Sequence, residues 1–234
     1  MEQETRTGLQ FDSLKAILYL HGLASSPKGR KADFLGKRFA ADGFRIVAPD
    51  LNVPSFERLS FDAIVNRAAQ AQVECAPAII VGSSLGALVA LALAQRSGPS
   101  SPPLVLIAPA LSFGERWRSK LSEGESVDLF HHGQGKTLPV HRQFFEGMAA
   151  MAVEEAPPPV PVSIVMGTRD ESVPFEQVDQ AWARWEKSGR LVAGSRFHRV
   201  ENGDHSLLEH GDVIEAAMRE RLAASASVDY ILET

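Results

Sequence analysis

The chain has 234 residues, of which 44% are hydrophobic and 23% charged, so its composition is globular and excludes a disordered chain. Its net charge of −5 gives no reason to expect a nucleic acid partner, and no apolar run reaches the roughly 20 residues that cross a bilayer. The single cysteine, Cys75, cannot form an internal disulfide, which suits a reducing compartment. We therefore expect a cytoplasmic protein without a membrane partner.

Short β-rich runs alternate with amphipathic helical patterns along most of the chain. The patterns predict strands at 15–22, 44–50, 78–82, 103–110, 162–170 and 195–205, and helices at 31–43, 61–76, 85–95, 176–189 and 206–224. Several of these strands are apolar throughout instead of alternating, which favours a parallel sheet that helices cover on both faces. The sequence thus predicts a single α/β domain over residues 1–234, with a mostly parallel central sheet.

Residues 111–161 interrupt this alternation. The segment is too long for a simple connection, and long excursions of this kind are usually functional lids or small caps. We expect a partly helical, cap-like insertion over one edge of the sheet. Phe144, Phe145 and Met148 offer an apolar wall for an acyl group, although such residues more often form the core of a cap.

The segment Gly82-Ser83-Ser84-Leu85-Gly86 lies between a predicted strand and a predicted helix, and it matches the pattern G-x-S-x-G with Ser84 at its centre. In this pattern the serine occupies a strained turn, and the glycines let strand and helix pack closely around the raised hydroxyl. Ser83 does not satisfy the pattern, because the positions two residues before and after it hold Val81 and Leu85 instead of glycines. The alternative interpretation is that Ser84 caps the following helix, since serine is a favoured N-cap.

A serine hydroxyl is a poor nucleophile alone and needs a base that an acid orients. Asp170 follows the end of a predicted strand, and His205 lies between the last predicted strand and the last helix. The order Ser, Asp, His is the one that accompanies a G-x-S-x-G nucleophile. We therefore predict Ser84 as nucleophile, His205 as base and Asp170 as the orienting acid. Taken singly, Asp170 would be a turn residue and His205 a surface histidine or a helix start.

Two other carboxylates are candidates for the acid. Asp204 directly precedes His205, but neighbouring side chains usually point apart and a turn aspartate often hydrogen-bonds its own backbone. Glu171 is the third candidate. We expect Asp170 to be the acid because it ends a strand of the sheet, from which its carboxylate can reach the far nitrogen of His205.

The segment Tyr19–Pro27 follows the first strong strand, where the fold that carries a G-x-S-x-G nucleophile supplies one backbone N–H to the oxyanion hole. The residue after the nucleophile supplies the other, so the predicted donors are the N–H groups of Leu23 and Leu85. His21 and Gly22 are predicted to border the substrate pocket. His21 is a loop-ordering residue in this interpretation, because it precedes the serine and breaks the order of the triad.

The segments "LHGLASSP", "VAPDL", "GSSLGA", "GTRDESVP" and "GDHSL" together resemble the α/β-hydrolase superfamily over nearly the whole chain. More narrowly, "LHGLASSPKGRKADFLGKRF" looks like the start of small bacterial serine esterases and thioesterases with a short cap. The resemblance implies the α/β-hydrolase fold and hydrolysis of a carboxylic ester or thioester through an acyl-enzyme. The sequence lacks an extended lid and an HGGG loop, so long triglycerides are not expected substrates.

The remaining expectations concern ligands and alternatives. No cluster has clear metal-ligand spacing, and we expect no metal and no cofactor. Arg116, Arg118 and Lys120 would attract an anionic group or form a solvated helix face. A lyase or perhydrolase on the same scaffold would keep the triad, whereas a non-catalytic binding protein would usually have lost a member of it. The expected partner is a small ester or thioester, and the oligomeric state is left between monomer and homodimer.

Overall fold

The computed structural model describes residues 14–113, 117 and 125–232, with side chains described as far as residue 225. Its strands are β1 (Lys15–Leu20), β2 (Phe44–Val47), β3 (Ile79–Ser83), β4 (Leu104–Ile107), β5 (Ser126–His131), β6 (Lys136–His141), β7 (Val162–Gly167) and β8 (Arg196–Val200). Its helices are α1 (Arg30–Phe39), α2 (Phe61–Cys75), α3 (Leu85–Ser97), α4 (Arg142–Ala150), α5 (Phe175–Lys187) and α6 (Gly211–Leu232).

Six of the strands form one parallel sheet in the order β2-β1-β3-β4-β7-β8. The three strands β3, β4 and β7 are buried at every position, as the unbroken apolar runs predict for the middle of a parallel sheet. Helices surround the sheet, so the predicted fold class, an α/β fold with a mostly parallel sheet, is confirmed. In a sheet of this kind the loops after the strands all meet at one edge, which is where a site forms.

Helix α3 is the most deeply buried helix of the described chain. Every residue from Leu85 to Ala94 is buried, and the helix contacts β1, β3, β4 and helix α2. A helix that is apolar all round has no solvent-facing side, which explains why the sequence shows no amphipathic pattern there. Because α3 packs against the central strands, its first residue, Leu85, is held in place directly after Ser84.

The insertion at 111–161 contains more strand than the sequence analysis predicted. Strands β5 and β6 form an antiparallel hairpin, and helix α4 follows directly. The inward-facing residues of β5 alternate with exposed ones, and a Gly133-Gln134-Gly135 turn joins the two strands. Alternation in the strand before a glycine-containing turn is a local signal of a hairpin, although the strand after the turn does not alternate. Arg116, Arg118 and Lys120, for which the sequence offered either an anion-attracting role or a solvated helix face, lie outside the described residues.

None of the helices in the described part of the chain has both the length and the apolar character that spanning a bilayer requires.

Candidate active site

Ser84 lies at the sharp turn between β3 and α3. Its backbone has φ 55° and ψ −115°, a region that costs a non-glycine residue about 1–3 kcal/mol. The backbone is held there because the Ser84 N–H donates to the Ile107 carbonyl (2.9 Å) and the Ser84 carbonyl accepts from the Ala87 N–H (3.0 Å). The Ser84 side chain makes no capping hydrogen bond, so the alternative interpretation of this serine as a helix N-cap is wrong.

The two glycines of the motif are required by close backbone approach. A Cβ atom on Gly82 would overlap the backbone of Gly86 and Ala87, and a Cβ atom on Gly86 would overlap the carbonyl group of Leu20 in β1. Both overlaps involve backbone atoms, which cannot move aside as the end of a flexible side chain can. The spacing of the glycines therefore follows from the packing of α3 against β1 and β3.

Ser83, the other serine of the motif, borders the same cavity as Ser84 but is almost fully buried. Its exposed fraction is 3%, and its side chain hydrogen-bonds Tyr19 on the neighbouring strand β1. Burial raises the pKa of the Tyr19 phenol above its ordinary value of 10.0, although the hydrogen bond with Ser83 lowers it in part. The Tyr19 hydroxyl thus stays protonated, and Ser83 stabilises the end of two adjacent strands.

Asp170 and His205 are in direct contact. The Asp170 Oδ2 atom lies 2.7 Å from the His205 Nδ1 atom, and the Asp170 side chain has no exposed surface. The other carboxylate oxygen, Oδ1, accepts hydrogen bonds from the backbone N–H groups of Ser172 and Val173, both at 2.8 Å. These bonds hold the carboxylate in one orientation and leave Oδ2 for the imidazole.

Asp204 does not contact the imidazole of His205. Its carboxylate accepts hydrogen bonds from the Ser206 hydroxyl (2.9 Å) and from the Leu207 N–H (2.8 Å). Burial would raise the pKa of Asp204, but these hydrogen bonds and the positive charge of Lys31 lower it overall. The geometry therefore pairs Asp170 with His205, while Asp204 stabilises its own turn. Glu171, the third candidate, is exposed.

Ser84 and His205 line one cavity of about 610 Å³, together with Gly22 and Leu23. A Cβ atom on Gly22 would lie 3.2 Å from the Ser84 Cβ atom, so the loop after β1 passes directly beside the serine. In the described structure the Ser84 hydroxyl and the His205 imidazole are not hydrogen-bonded to each other. Such contacts are often long until substrate binds.

The two predicted oxyanion donors come from different elements. Leu85 is the first residue of α3, and the N–H groups of a helix's first turn have no partner within the helix. Leu23 lies in the loop after β1 and borders the cavity. Leu85 therefore has an N–H without a helical partner next to Ser84, Leu23 borders the same cavity, and their role as oxyanion donors stays a prediction.

His21 braces the loop that carries Leu23. Its Nε2 atom accepts a hydrogen bond from the Leu51 N–H (3.0 Å), so the proton is on Nδ1, which donates to the Gly22 carbonyl (2.9 Å). The residue is 1% exposed, and burial lowers the pKa of its imidazole, which favours this neutral form. His21 does not line the cavity, so the prediction that it borders the pocket is wrong, whereas Gly22 does border it.

Two further contacts hold the same loop, and the sequence analysis missed both. The Asn52 side-chain amide donates to the Ser25 carbonyl (3.0 Å). The His132 N–H, at the turn of the β5–β6 hairpin, donates to the carbonyl of Ala24 (2.9 Å), whose φ is 59°. No local sequence pattern predicts either contact, because each joins segments that are far apart in the chain.

Phe144, Phe145 and Met148 do not line the cavity that contains Ser84. All three are at most 3% exposed, and they face the protein core from helix α4. Phe145 stacks on Trp117 at 5.4 Å between ring centroids and makes an edge contact with Phe144 at 5.1 Å. The prediction that these residues form a wall for an acyl group is wrong, because their burial leaves them no surface for a substrate. They belong to the core, which was the alternative interpretation. No metal-binding group of His, Cys, Asp and Glu side chains occurs within the described ranges.

Comparison with solved structures shows the same fold in several proteins. Est1E from Butyrivibrio proteoclasticus, solved with bound ferulic acid, superposes with a TM-score of 0.74 at 17% identity, over 92% of this chain and 91% of that one. A protein from Agrobacterium vitis S4 gives 0.72 at 24% identity, over 90% and 89%. Alpha/beta hydrolase domain-containing protein 10 from mouse gives 0.65 at 19% identity, over 93% and 89%.

Among proteins with curated functions, none matches this chain in sequence. A family model does match, over residues 16–209, and its family is described as the uncharacterised protein family UPF0227. That range runs from β1 through the loop of His205, so it includes every element that carries the candidate site. The chain therefore belongs to the uncharacterised protein family UPF0227, and its fold is that of the α/β-hydrolase superfamily.

Proposed function

We propose that this protein is a serine hydrolase that cleaves a small carboxylic ester or thioester through an acyl-enzyme on Ser84. The observation that carries the proposal is the 2.7 Å contact between Asp170 and His205 beside a cavity that also exposes the strained Ser84 turn. A serine, an imidazole and a buried carboxylate in this order form the machinery of acyl transfer. Est1E has the same fold and was solved with bound ferulic acid, whereas the activity proposed here rests on the geometry of this chain.

The chemistry follows from the geometry in two steps. The Ser84 Oγ attacks the carbonyl carbon while its proton passes to the His205 Nε2, and the negative oxygen that forms is stabilised by the N–H groups of Leu23 and Leu85. The His205 imidazolium then gives the proton to the departing alcohol or thiol. Asp170 keeps the other imidazole proton on Nδ1 and stabilises the imidazolium.

Deacylation repeats the same steps with water. His205 takes a proton from the water molecule, the hydroxide attacks the acyl-enzyme, and the proton returns to the Ser84 Oγ as the carboxylic acid leaves. The loop with Leu23 must keep its position through both halves of the reaction, and the contacts from Leu51, Asn52 and His132 supply that rigidity.

A fluorophosphonate probe tests the proposal. It should label Ser84 and leave Ser83 unlabelled, because Ser83 is buried and bonded to Tyr19. Intact-mass measurement and peptide mapping identify the labelled residue, and Ser84→Ala is the control that should take no label and hydrolyse neither phenyl butyrate nor butyryl-coenzyme A. Label on another residue, or hydrolysis that survives in the Ser84→Ala variant, would contradict the proposal. The same assay separates the non-catalytic alternative, which predicts no turnover.

A further inference from the structure

The cavity beside Ser84 has a positively charged wall. Lys28, Arg30 and Lys31, from the start of α1 and the residues before it, all line the cavity, and Asp204 is the one carboxylate among its lining residues within the described chain. The protein as a whole carries a net charge of −5, so this excess of positive charge is local. Pockets for neutral acyl groups are mostly apolar, and this one is not.

The charges of these three cations are only partly compensated, since Asp204 and Asp170 act on Lys31 at longer range. Within the described part of the chain none of them forms an ion pair, whereas Lys37 on the same helix pairs with Asp33 at 2.7 Å. The Lys31 ammonium makes one long hydrogen bond, to the His205 carbonyl oxygen at 3.5 Å.

Lys31 is also the most enclosed of the three cations, since Lys28 and Arg30 are exposed at the rim. Burial lowers the pKa of Lys31 to about 8, the charges of Asp204 and Asp170 counteract this shift in part, and the charge of Arg30 adds to it. An anion beside Lys31 would favour its charged form. Burial therefore makes the positive charge at this place costly, and a negatively charged ligand would stabilise it.

The position of Lys31 indicates which part of the substrate carries the charge. In the proposed reaction the leaving group departs toward the His205 imidazolium, which protonates it. Lys31 contacts the backbone of this same residue, so its ammonium lies beside the residue that would protonate the leaving group. The start of α1, which has no side-chain cap, adds its partial positive charge there.

We propose that this wall binds a carboxylate or phosphate on the leaving group, so that the substrate class is an ester or thioester of an anionic alcohol or thiol. This inference rests on the proposed hydrolase function and narrows it. A carboxylate and a phosphate offer the same chemistry to ammonium and guanidinium groups, because both are oxyanions that accept several hydrogen bonds. Oriented positive charge at a cavity also raises the local concentration of an anionic substrate.

Four matched substrates test the proposal. They are phenyl butyrate, which is neutral; 3-carboxyphenyl butyrate and 3-(phosphonooxy)phenyl butyrate, charged on the leaving group; and monophenyl glutarate, charged on the acyl group. Each kcat/KM is divided by the rate constant for hydroxide hydrolysis of the same ester, which removes intrinsic reactivity. We expect at least one ester charged on the leaving group to exceed the neutral one by about tenfold, because three charges contribute about two- to fivefold each at an exposed site. The two charged leaving groups distinguish a carboxylate from a phosphate source.

Substitutions in the cavity test whether the cationic wall causes the preference for esters with a charged leaving group. Lys31→Gln and Arg30→Gln should each reduce the ratio of charged to neutral ester by about two- to fivefold. Lys37→Gln removes a charge from the same helix outside the cavity and should leave the ratio unchanged. Arg30 is exposed, so its variant tests the inference even where Lys31→Gln fails to fold.

Three results would overturn the inference. They are equal normalised rates for all four esters, a preference for the ester charged on its acyl group, and a preference that survives in both cavity variants. These failures differ from a failure of the proposed function, in which no ester is hydrolysed in a Ser84-dependent way. A protein that hydrolyses all four esters equally and loses this activity in Ser84→Ala would keep the proposed function and refute the anion-binding role of the cationic wall.

Discussion

Replacing Asp170 with asparagine tests the candidate site most directly, because the hydrogen bonds of the carboxylate fix how the new amide must sit. The Asp170 Oδ1 position faces two backbone N–H donors, from Ser172 and Val173. The amide oxygen must take that position, since an NH₂ group there would oppose two donors. The NH₂ group then faces the His205 Nδ1, which can only accept.

The consequence is a change of tautomer in His205. With Nδ1 as acceptor, the imidazole proton moves to Nε2, and Nε2 can no longer take the proton of Ser84. The same replacement lowers turnover by about 10⁴ in serine proteases, and we expect a loss of about 10²–10⁴ in kcat here. KM should change little, because the Asp170 side chain is fully enclosed and cannot touch substrate. Exchanging charged for neutral hydrogen bonds should cost about 1–3 kcal/mol of stability.

The assay is hydrolysis of phenyl butyrate by purified Asp170→Asn and Asp204→Asn variants, with thermal unfolding to establish that both are folded. The Asp204 carboxylate hydrogen-bonds only within its own turn and interacts with Lys31 through charge alone. The Asp204→Asn variant should therefore lose at most about tenfold in kcat. A larger loss at Asp204 would refute the reasoning. So would a folded Asp170→Asn variant that retains more than a tenth of the wild-type turnover.

Three further predictions concern the elements that hold the site. Gly86→Ala places a methyl group against the backbone of β1 and should lower the free energy of unfolding by about 3 kcal/mol or more. The control Gly147→Ala, where the methyl group meets open space, should raise it by up to about 1 kcal/mol. Urea unfolding of both variants measures the difference. Asn52→Ala removes the bond to Ser25 and should lower kcat by about 10- to 100-fold without unfolding, and an unchanged kcat would mean that the loop is held without it. Phe145→Ala should cost about 3–5 kcal/mol and leave the preference for acyl-chain length unchanged, which hydrolysis of a series of phenyl esters measures; an altered preference in a stable variant would speak against a core role.

The order of strands and helices was readable from the sequence because each element is determined mainly by its near neighbours. Apolar runs such as Ile79–Ser83 and Leu104–Ile107 predict buried strands, and the glycines around Ser84 predict the tight turn. The hairpin in the insertion followed the same local rules, with alternation in Ser126–His131. The sequence predicted a partly helical insertion without this hairpin, because the regular alternation is confined to one short strand and does not continue in Lys136–His141.

The choice between Asp170 and Asp204 depended on the tertiary structure. Asp204 adjoins His205 in the chain, whereas Asp170 is 35 residues away and reaches the imidazole because β7 and β8 are paired in parallel. Sequence order identified Asp170 as the better candidate, but the distance of 2.7 Å exists only once two strand ends meet.

By itself, the sequence determined the α/β alternation, the G-x-S-x-G turn at Ser84 and the order of the three candidate catalytic residues, because each is encoded in short patterns with strong local preferences. Tertiary structure alone decided the bracing of the Leu23 loop by Asn52 and His132, the enclosure of Phe145 in the core and the charged wall with Lys31. The physical reason is that these contacts join segments distant in the chain, and their geometry depends on how the sheet orders its strands and how the insertion folds back over them.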